Sequence, residues 1–280
     1  MSDIVYLNGS YLPKAEAHLS PDDRGFLFGD GIYEVVRSYA GRFFGLEPHL
    51  ARMARGLRAI RIEGLQAPSL GAVCRELLER NGLAGRDALV YLQVTRGAAT
   101  RTHWFPDPAV PPTVYGSTMP YKAKADPAVG VAVVTMPDQR WARCDIKSVA
   151  LLPNCLAAQA AHEAGVPEAL LVRDGVVLEG THTSFFAVVD GVVRTAPANN
   201  YILPSITRQT VLDLCAEHGI PARTEPVLLE ELPGADELFL AGTTMEVMPI
   251  VRVDGQPVGT GSPGPVARRL LELFHERVRV

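Results

Sequence analysis

Lysine is nearly absent from this 280-residue chain. Only four of its 27 basic residues are lysines (Lys14, Lys122, Lys124 and Lys147), and the other 23 are arginines. The basic residues form no block or stripe of the kind that holds a phosphate backbone. The net charge is −4 and the pI is near 6.0, so nucleic acid is not an expected partner. Cysteine is also sparse. Cys74, Cys144, Cys155 and Cys215 lie far apart with no CxxC, which argues against a disulfide frame and reads as free thiols of a reducing, cytoplasmic compartment. No uncharged run reaches the roughly 18 residues that a spanning helix needs. The opening MSDIVYLNGSYLP has no basic segment followed by an apolar one, so neither a membrane nor a secretory signal is expected. No metal site, repeat or low-complexity tract is read. What remains, at 47% hydrophobic and 21% charged, is an ordinary globular composition with length for two domains or one large one.

The chain is punctuated by Asn-Gly and Asp-Gly pairs between apolar runs. Asn8-Gly9, Asp174-Gly175, Asp190-Gly191 and Asp254-Gly255 each predict a hairpin, because both central residues of its tight turn need positive φ. These are antiparallel signals rather than the strand–helix–strand rhythm of a doubly wound sheet. Helical periods alternate with them. PHLARMARGLRAIR places Leu50, Met53, Leu57 and Ile60 on one face. SLGAVCRELLERNG begins on a serine cap and stops at Asn81-Gly82. NCLAAQAAHEAG follows Pro153 with Asn154 as a cap. ITRQTVLDLCAEHG follows Ser205, and GPVARRLLELFHERV has Pro265 near its first turn. The proline-rich or polar segments PDPAVPP and MPYKAKADP mark a boundary, with TVYGS as a short strand between them. The expected fold is α+β, with mixed or antiparallel sheets and helices, in two domains spanning residues 1–120 and 121–280.

Arginine stays protonated, whereas a desolvated lysine can lose its proton and attack a carbonyl. Lys147 lies in RWARCDIKSVALL between a possible strand, WARCDI, and a helix. Ile146, Val149, Leu151 and Leu152 flank it. Alone it reads as a surface lysine whose stem covers apolar neighbours. The sharper reading is a Schiff-base lysine that carries a carbonyl cofactor. Such a cofactor needs further grips, and each has an ordinary reading beside it. Glu179 ends a strand next to Gly180 and either faces a cofactor or is solvated. Ile206 and Thr207 open a helix whose free N–H groups suit a phosphate. Thr243 and Thr244 follow the apolar run ELFLAG and offer donors, or form a plain polar turn. Arg52 belongs to a row with Arg55, Arg58 and Arg61 that reads first as a solvated helix face. Arg101 and His103 lie two apart in a loop, a spacing that suits a carboxylate. Tyr33 is a substrate donor or a core filler.

The combination of DRGFLFGDGIYEV, LQVTRGAATRTHWFP, RWARCDIKSVALL, QAAHEAG, LVRDGVVLEG and APANNYILPSITR, in that order over most of the chain, resembles the class IV aminotransferases, the fold type IV pyridoxal phosphate (PLP) enzymes. Within them the Arg101–His103 pair resembles that of the bacterial D-amino acid aminotransferases. The resemblance implies that Lys147 carries the cofactor as a Schiff base and later moves a proton, and that Glu179 pairs with the pyridine nitrogen. It further implies that Arg52, Ile206, Thr207 and Thr243 or Thr244 hold the phosphate, and that Tyr33, Arg101 and His103 trap the substrate carboxylate. Trp141 and Leu203 match positions near the cofactor. Arg101 and His103 reach into the other subunit in relatives, which implies a homodimer. The implied reaction is ping-pong amino transfer between D-amino acids such as D-alanine and 2-oxo acids such as 2-oxoglutarate. After Glu179 the chain reads GTHTSFF where relatives have small hydroxyl residues and then asparagine, so His182 and Ser184 depart from the pattern.

Other readings predict different behaviour. A branched-chain L-amino acid or (R)-amine transaminase, or an aminodeoxychorismate lyase, shares Lys147 and Glu179 but not the Arg101–His103 loop. A non-catalytic binding module would be colourless.

Overall fold

The computed structural model describes residues 3–123 and 125–279. Its contacts divide the chain into two units, one of residues 1–122 with 146–150 and one of residues 123–145 with 151–280. The lysine segment, expected in the second domain, therefore packs in the first unit.

The first unit runs β1 (Ile4–Leu7), β2 (Ser10–Pro13), α1 (Arg24–Phe28), β3 (Gly31–Tyr39), β4 (Arg42–Phe43), α2 (Leu46–Ala59), α3 (Leu70–Arg80), β5 (Ala88–Thr95) and β6 (Thr113–Pro120). The strands form one antiparallel sheet ordered β2-β1-β6-β5-β3-β4. Along β5, Ala88, Val90, Leu92 and Val94 are buried and alternate with half-buried Leu89, Tyr91 and Gln93. That period of two packs one face of the sheet against a helix layer. α2 and α3 supply Leu50, Met53, Leu57, Cys74 and Leu77 to this core, and Ile146 joins it.

The second unit runs β7 (Val131–Pro137), α4 (Leu152–Glu163), β8 (Glu168–Arg173), β9 (Val176–Gly180), β10 (Ser184–Val189), β11 (Val192–Thr195), α5 (Ile206–Glu217), β12 (Ala222–Thr224), β13 (Val227–Leu228), β14 (Glu237–Gly242), β15 (Glu246–Val253), β16 (Gln256–Pro257) and α6 (Pro265–Arg279). Its mixed sheet is ordered β12-β11-β10-β14-β15-β7-β8-β9-β13. β7 is parallel to both β8 and β15. A further pairing, Ser184 with Glu179, links β10 back to β9 and closes β10-β14-β15-β7-β8-β9 into a ring. Glu179 sits at that closure.

All four expected hairpins are present. Asn8, Asp174, Asp190 and Asp254 have φ between 47° and 50°, each followed by a positive-φ glycine. Three local expectations fail. Ser69 precedes α3, but its hydroxyl donates to the Gln66 carbonyl at 2.8 Å and does not cap the helix. WARCDI forms no strand. Its backbone is taken up instead by the 200 region, where Cys144 N–H donates to the Asn200 carbonyl and Asn200 Nδ2 donates to the Ala142 carbonyl. Asn154 is not a cap either. The helix starts at Leu152 with Pro153 in its first turn, where a missing N–H costs nothing. Asn154 Nδ2 donates to the Thr181 carbonyl at 2.7 Å instead.

Candidate active site

In the first unit, β3 and the lysine segment lie side by side. Tyr33 N–H donates to the Lys147 carbonyl at 3.0 Å, and Val149 N–H donates to the Gly31 carbonyl at 3.1 Å. Ile32 and Ser148 form an antiparallel bridge between them. This pairing sets the Lys147 side chain across Tyr33, with Nζ 4.4 Å from the ring centroid. Lys147 is half-buried, and among the described residues no carboxylate pairs with its amine. Tyr33 in turn stacks on Tyr91, with centroids 5.8 Å apart. Burial pushes the Tyr91 phenol up to about 12.

Alternation on β3 turns Glu34 away from Tyr33 and toward α2. Glu34 is fully buried. Arg52 grips it with Nε at 2.7 Å and Nη2 at 2.8 Å, and His49 Nδ1 lies 2.8 Å from the same carboxylate. Burial raises the Glu34 pKa, but the Arg52 charge and hydrogen bonds, then His49, override it and hold it at about 2. Burial pushes the His49 imidazolium down, against Glu34. Arg55, Arg58 and Arg61 are more exposed, as expected, whereas Arg52 is buried. Sequence reasoning ranked Arg52 with the solvated row and missed both Glu34 and His49. The available signal was a carboxylate on the buried face of an alternating strand.

This triad carries a stability prediction. The folded Glu34 pKa lies below its ordinary value of 4.5, so its contribution is complete above pH 4.5 and is lost as pH falls toward 2. Glu34→Gln leaves a buried guanidinium uncompensated and is expected to cost about 3 kcal/mol at pH 7, with a flatter acid limb between pH 4.5 and 2. Urea unfolding at pH 7 and pH 3 checks this. A loss below about 1 kcal/mol at pH 7, the range of an exposed ion pair, would contradict the buried pair.

The loop that carries Arg101 and His103 is tethered at its base. Asp30 accepts from Arg24 Nε and Arg96 Nε, both at 2.8 Å. Arg24 Nη1 then reaches the Thr102 carbonyl at 2.6 Å, and Arg96 holds the Ile60 and Arg61 carbonyls. Arg101 and His103 meet at Phe28, with the guanidinium 5.0 Å and the imidazole ring 5.7 Å from its centroid. Both are exposed. Within the chain neither has a polar or ring contact with Tyr33 or Lys147 among the described residues. Arg24, Asp30 and their tethering role were not read from the sequence.

In the second unit, Glu179 is buried at the end of β9. Arg140 Nη1 donates to it, and Leu203 N–H approaches both carboxylate oxygens, at 3.2 and 3.3 Å. Arg140 is anchored in turn by Asp138 at 2.8 Å and by the Tyr201 carbonyl. Burial lowers the Arg140 pKa, but Asp138 and Glu179 together raise it well above the ordinary arginine value. A guanidinium in contact with Glu179 favours the charged carboxylate. Leu203 thus acts through its backbone. Trp141 is largely exposed and its carbonyl accepts from Cys144 Sγ.

The loop after Glu179 is built on a second buried carboxylate. Glu168, fully buried, accepts from Thr181 N–H, Thr181 Oγ1 and Thr183 Oγ1, and His182 Nδ1 lies 3.1 Å from it. At the start of α5, Ser205 caps Arg208 N–H, while the N–H groups of Ile206 and Thr207 have no acceptor among the described residues. Arg208, on the same turn, is buried with its Nε unpartnered. Thr243 and Thr244 lie in the turn between β14 and β15.

Residues 31–253 match the model of the amino-transferase class IV family. The chain belongs to the class IV aminotransferases. It is 39% identical over 276 residues to the D-alanine aminotransferase of Staphylococcus haemolyticus, covering 98% of this chain and 97% of that one. It is 40% identical over 268 residues to that of Bacillus licheniformis, covering 95% and 94%. Among solved structures it is similar to the branched-chain aminotransferase of Thermoproteus uzoniensis with norvaline, with a TM-score of 0.89, 26% identity and 99% and 95% coverage. It is also similar to a T.th. branched-chain amino acid aminotransferase with pyridoxamine 5′-phosphate, with a TM-score of 0.89, 28% identity and 99% and 94% coverage.

This aminotransferase is PLP-dependent and has the α+β fold of its family. Its residues suit that cofactor. Lys147 offers an amine that no carboxylate pairs with among the described residues. Among the described residues the first two N–H groups of α5 have no acceptor, and Arg208 on the same turn has a buried Nε without one; such a set suits a phosphate.

Proposed function

We propose that the enzyme transfers amino groups between D-amino acids, D-alanine among them, and 2-oxo acids such as 2-oxoglutarate. The observation that carries this choice is the Arg101–Phe28–His103 cluster on its tethered loop. The near-full-length relatives named D-alanine aminotransferases, at 37–40% identity, support it over the branched-chain structures at 25–28%.

Bound PLP supplies a carbonyl carbon that takes up amino groups and an electron-poor ring that holds the pair released at Cα. In this reading Lys147 Nζ forms the covalent link. When free as a neutral amine, Nζ would carry the proton between the substrate Cα and the former carbonyl carbon of the cofactor, which lies across the amino nitrogen from Cα. The Tyr33 ring lies 4.4 Å from Nζ, and among the described residues no carboxylate pairs with it. Glu179, kept charged by Arg140, pairs with the ring nitrogen and favours its protonated form. Arg52, fixed by Glu34, holds the phosphate together with Ile206, Thr207, Thr243 and Thr244. Tyr33, Arg101 and His103 bind the substrate α-carboxylate, so one enantiomer presents its Cα–H to Lys147. The two half-reactions give ping-pong kinetics.

A homodimer in the cytoplasm is part of the proposal. Phe26 and Trp104, beside the carboxylate loop, are 79% and 74% exposed, which suits a surface covered by a second copy. In that arrangement Arg101 and His103 serve the partner's site. All four cysteines are free and Cys155 is exposed, which suits a reducing compartment. Among the described residues no helix is long and apolar enough to cross a membrane.

Steady-state assays with D-alanine and with L-leucine as donors to 2-oxoglutarate test the handedness. A D-preference of at least about 100-fold is expected, the scale of a lost charge-assisted grip of about 3 kcal/mol. An L-preference would favour the branched-chain reading. Arg101→Ala is expected to raise KM for D-alanine about tenfold or more with the cofactor retained. Unchanged D-alanine kinetics would remove Arg101 from the carboxylate site.

A further inference from the structure

The turn between β14 and β15 ends on a residue whose backbone is poorly suited to its side chain. Gly242 pairs with Glu246 across the hairpin, which leaves Thr243, Thr244 and Met245 between them. Met245 N–H donates to the Gly242 carbonyl at 3.2 Å, and Glu246 closes the turn at φ +53°. Glycine is the usual occupant of such a left-handed position. A glutamate there carries a conformational cost, so its side chain merits a role.

That side chain is held from a distant part of the chain. His275 Nε2 lies 2.7 Å from Glu246 Oε2, with the glutamate side chain 14% exposed and the histidine 39%. His275 lies on α6, which buries Ala267, Leu270, Leu273 and Phe274 and packs against β14 and β15. α6 also packs against α5, where Arg277 Nη2 contacts Glu217. One helix therefore packs against both α5 and the two strands that carry the threonine turn.

We propose that His275 is a positioning residue for cofactor binding. Through Glu246 it fixes the turn so that Thr243 and Thr244 stay aimed at the phosphate. This rests on the reading of those threonines as phosphate donors given above. His275 acts through Glu246 and takes no part in the chemistry.

The test is calorimetric titration of the full-length chain, resolved of cofactor, with pyridoxamine 5′-phosphate, which reads the phosphate grip without the Lys147 bond. His275→Leu removes the donor. Glu246→Gly removes the acceptor and at the same time suits the left-handed backbone. Each is expected to weaken binding about fivefold, which corresponds to about 1 kcal/mol. The double variant should lose no more than either single, and His275→Gln, which keeps a donor, should recover most of the affinity. Glu246→Gly should keep or raise Tm. Affinity lost without stability lost separates positioning from a general structural role. Unchanged affinity in both single variants overturns the proposal, as does a loss that follows Tm in every variant. The Thr243→Val/Thr244→Val variant separates the two levels. If it leaves affinity unchanged, the phosphate reading of the turn falls and the proposal falls with it. If it weakens binding while the His275 and Glu246 variants do not, only the brace is wrong.

Discussion

Lys147→Ala is expected to abolish amino transfer and the visible absorbance of the bound cofactor together. The alanine can form no covalent link and offers no amine to move the Cα proton. Loss of positioned proton transfer alone accounts for up to about 10⁴-fold, and loss of the covalent link adds to it. The fold should tolerate the change. Lys147 Nζ lies over the Tyr33 ring with no carboxylate partner among the described residues, so its removal strands no buried charge. The lost contact with the Tyr33 ring costs about 1 kcal/mol or less. Near-normal kcat in a variant that melts like the parent would end the assignment of Lys147.

Glu179→Gln has the second largest expected effect. Glutamine keeps the size and one hydrogen-bonding oxygen of the carboxylate but loses its charge, so it cannot favour a protonated ring nitrogen. A charge-assisted hydrogen bond is worth about 1.5–3 kcal/mol, or roughly 10- to 100-fold in kcat if it is felt mainly in the transition state. The variant should still be coloured. Arg140→Ala should act in the same direction, because Arg140 contacts Glu179 and is fixed by Asp138. Its own loss also leaves the buried Asp138 to pair with Arg173, so some destabilisation is expected with it. A kcat within about twofold of the parent for Glu179→Gln, under 0.5 kcal/mol, would contradict this role.

The parts of the fold that were legible in the sequence are those set by local chemistry. Asn8-Gly9 and the three Asp-Gly pairs specify turns with positive φ, and the four hairpins followed. The apolar period of PHLARMARGLRAIR specified α2 to within a few residues. Partners far apart in sequence were not legible. Glu34 meets Arg52 and His49 because β3 and α2 pack together, and nothing in either segment alone states that contact. Arg52 shows why a row of arginines misleads. Steps of three residues drift by about 60° around a helix of 3.6 residues per turn. Arg52, Arg55 and Arg58 therefore wind from the buried edge out to solvent, and Arg61 lies beyond the end of α2. Arg140 and Glu179 are 39 residues apart, joined by the fold of the second unit. The position of Lys147 in the first unit follows from backbone pairing with β3, which its apolar flanks did not predict. The candidate site residues themselves came from the resemblance, since each alone had an ordinary reading.

The central claim is that this chain uses Lys147-bound PLP to take amino groups from D-amino acids. The most direct measurement is the visible spectrum of the purified protein before and after D-alanine or L-alanine, with no 2-oxo acid present. The account predicts an absorbance band that D-alanine bleaches to the pyridoxamine form and L-alanine leaves intact. Bleaching by L-alanine, with none by D-alanine, would contradict it.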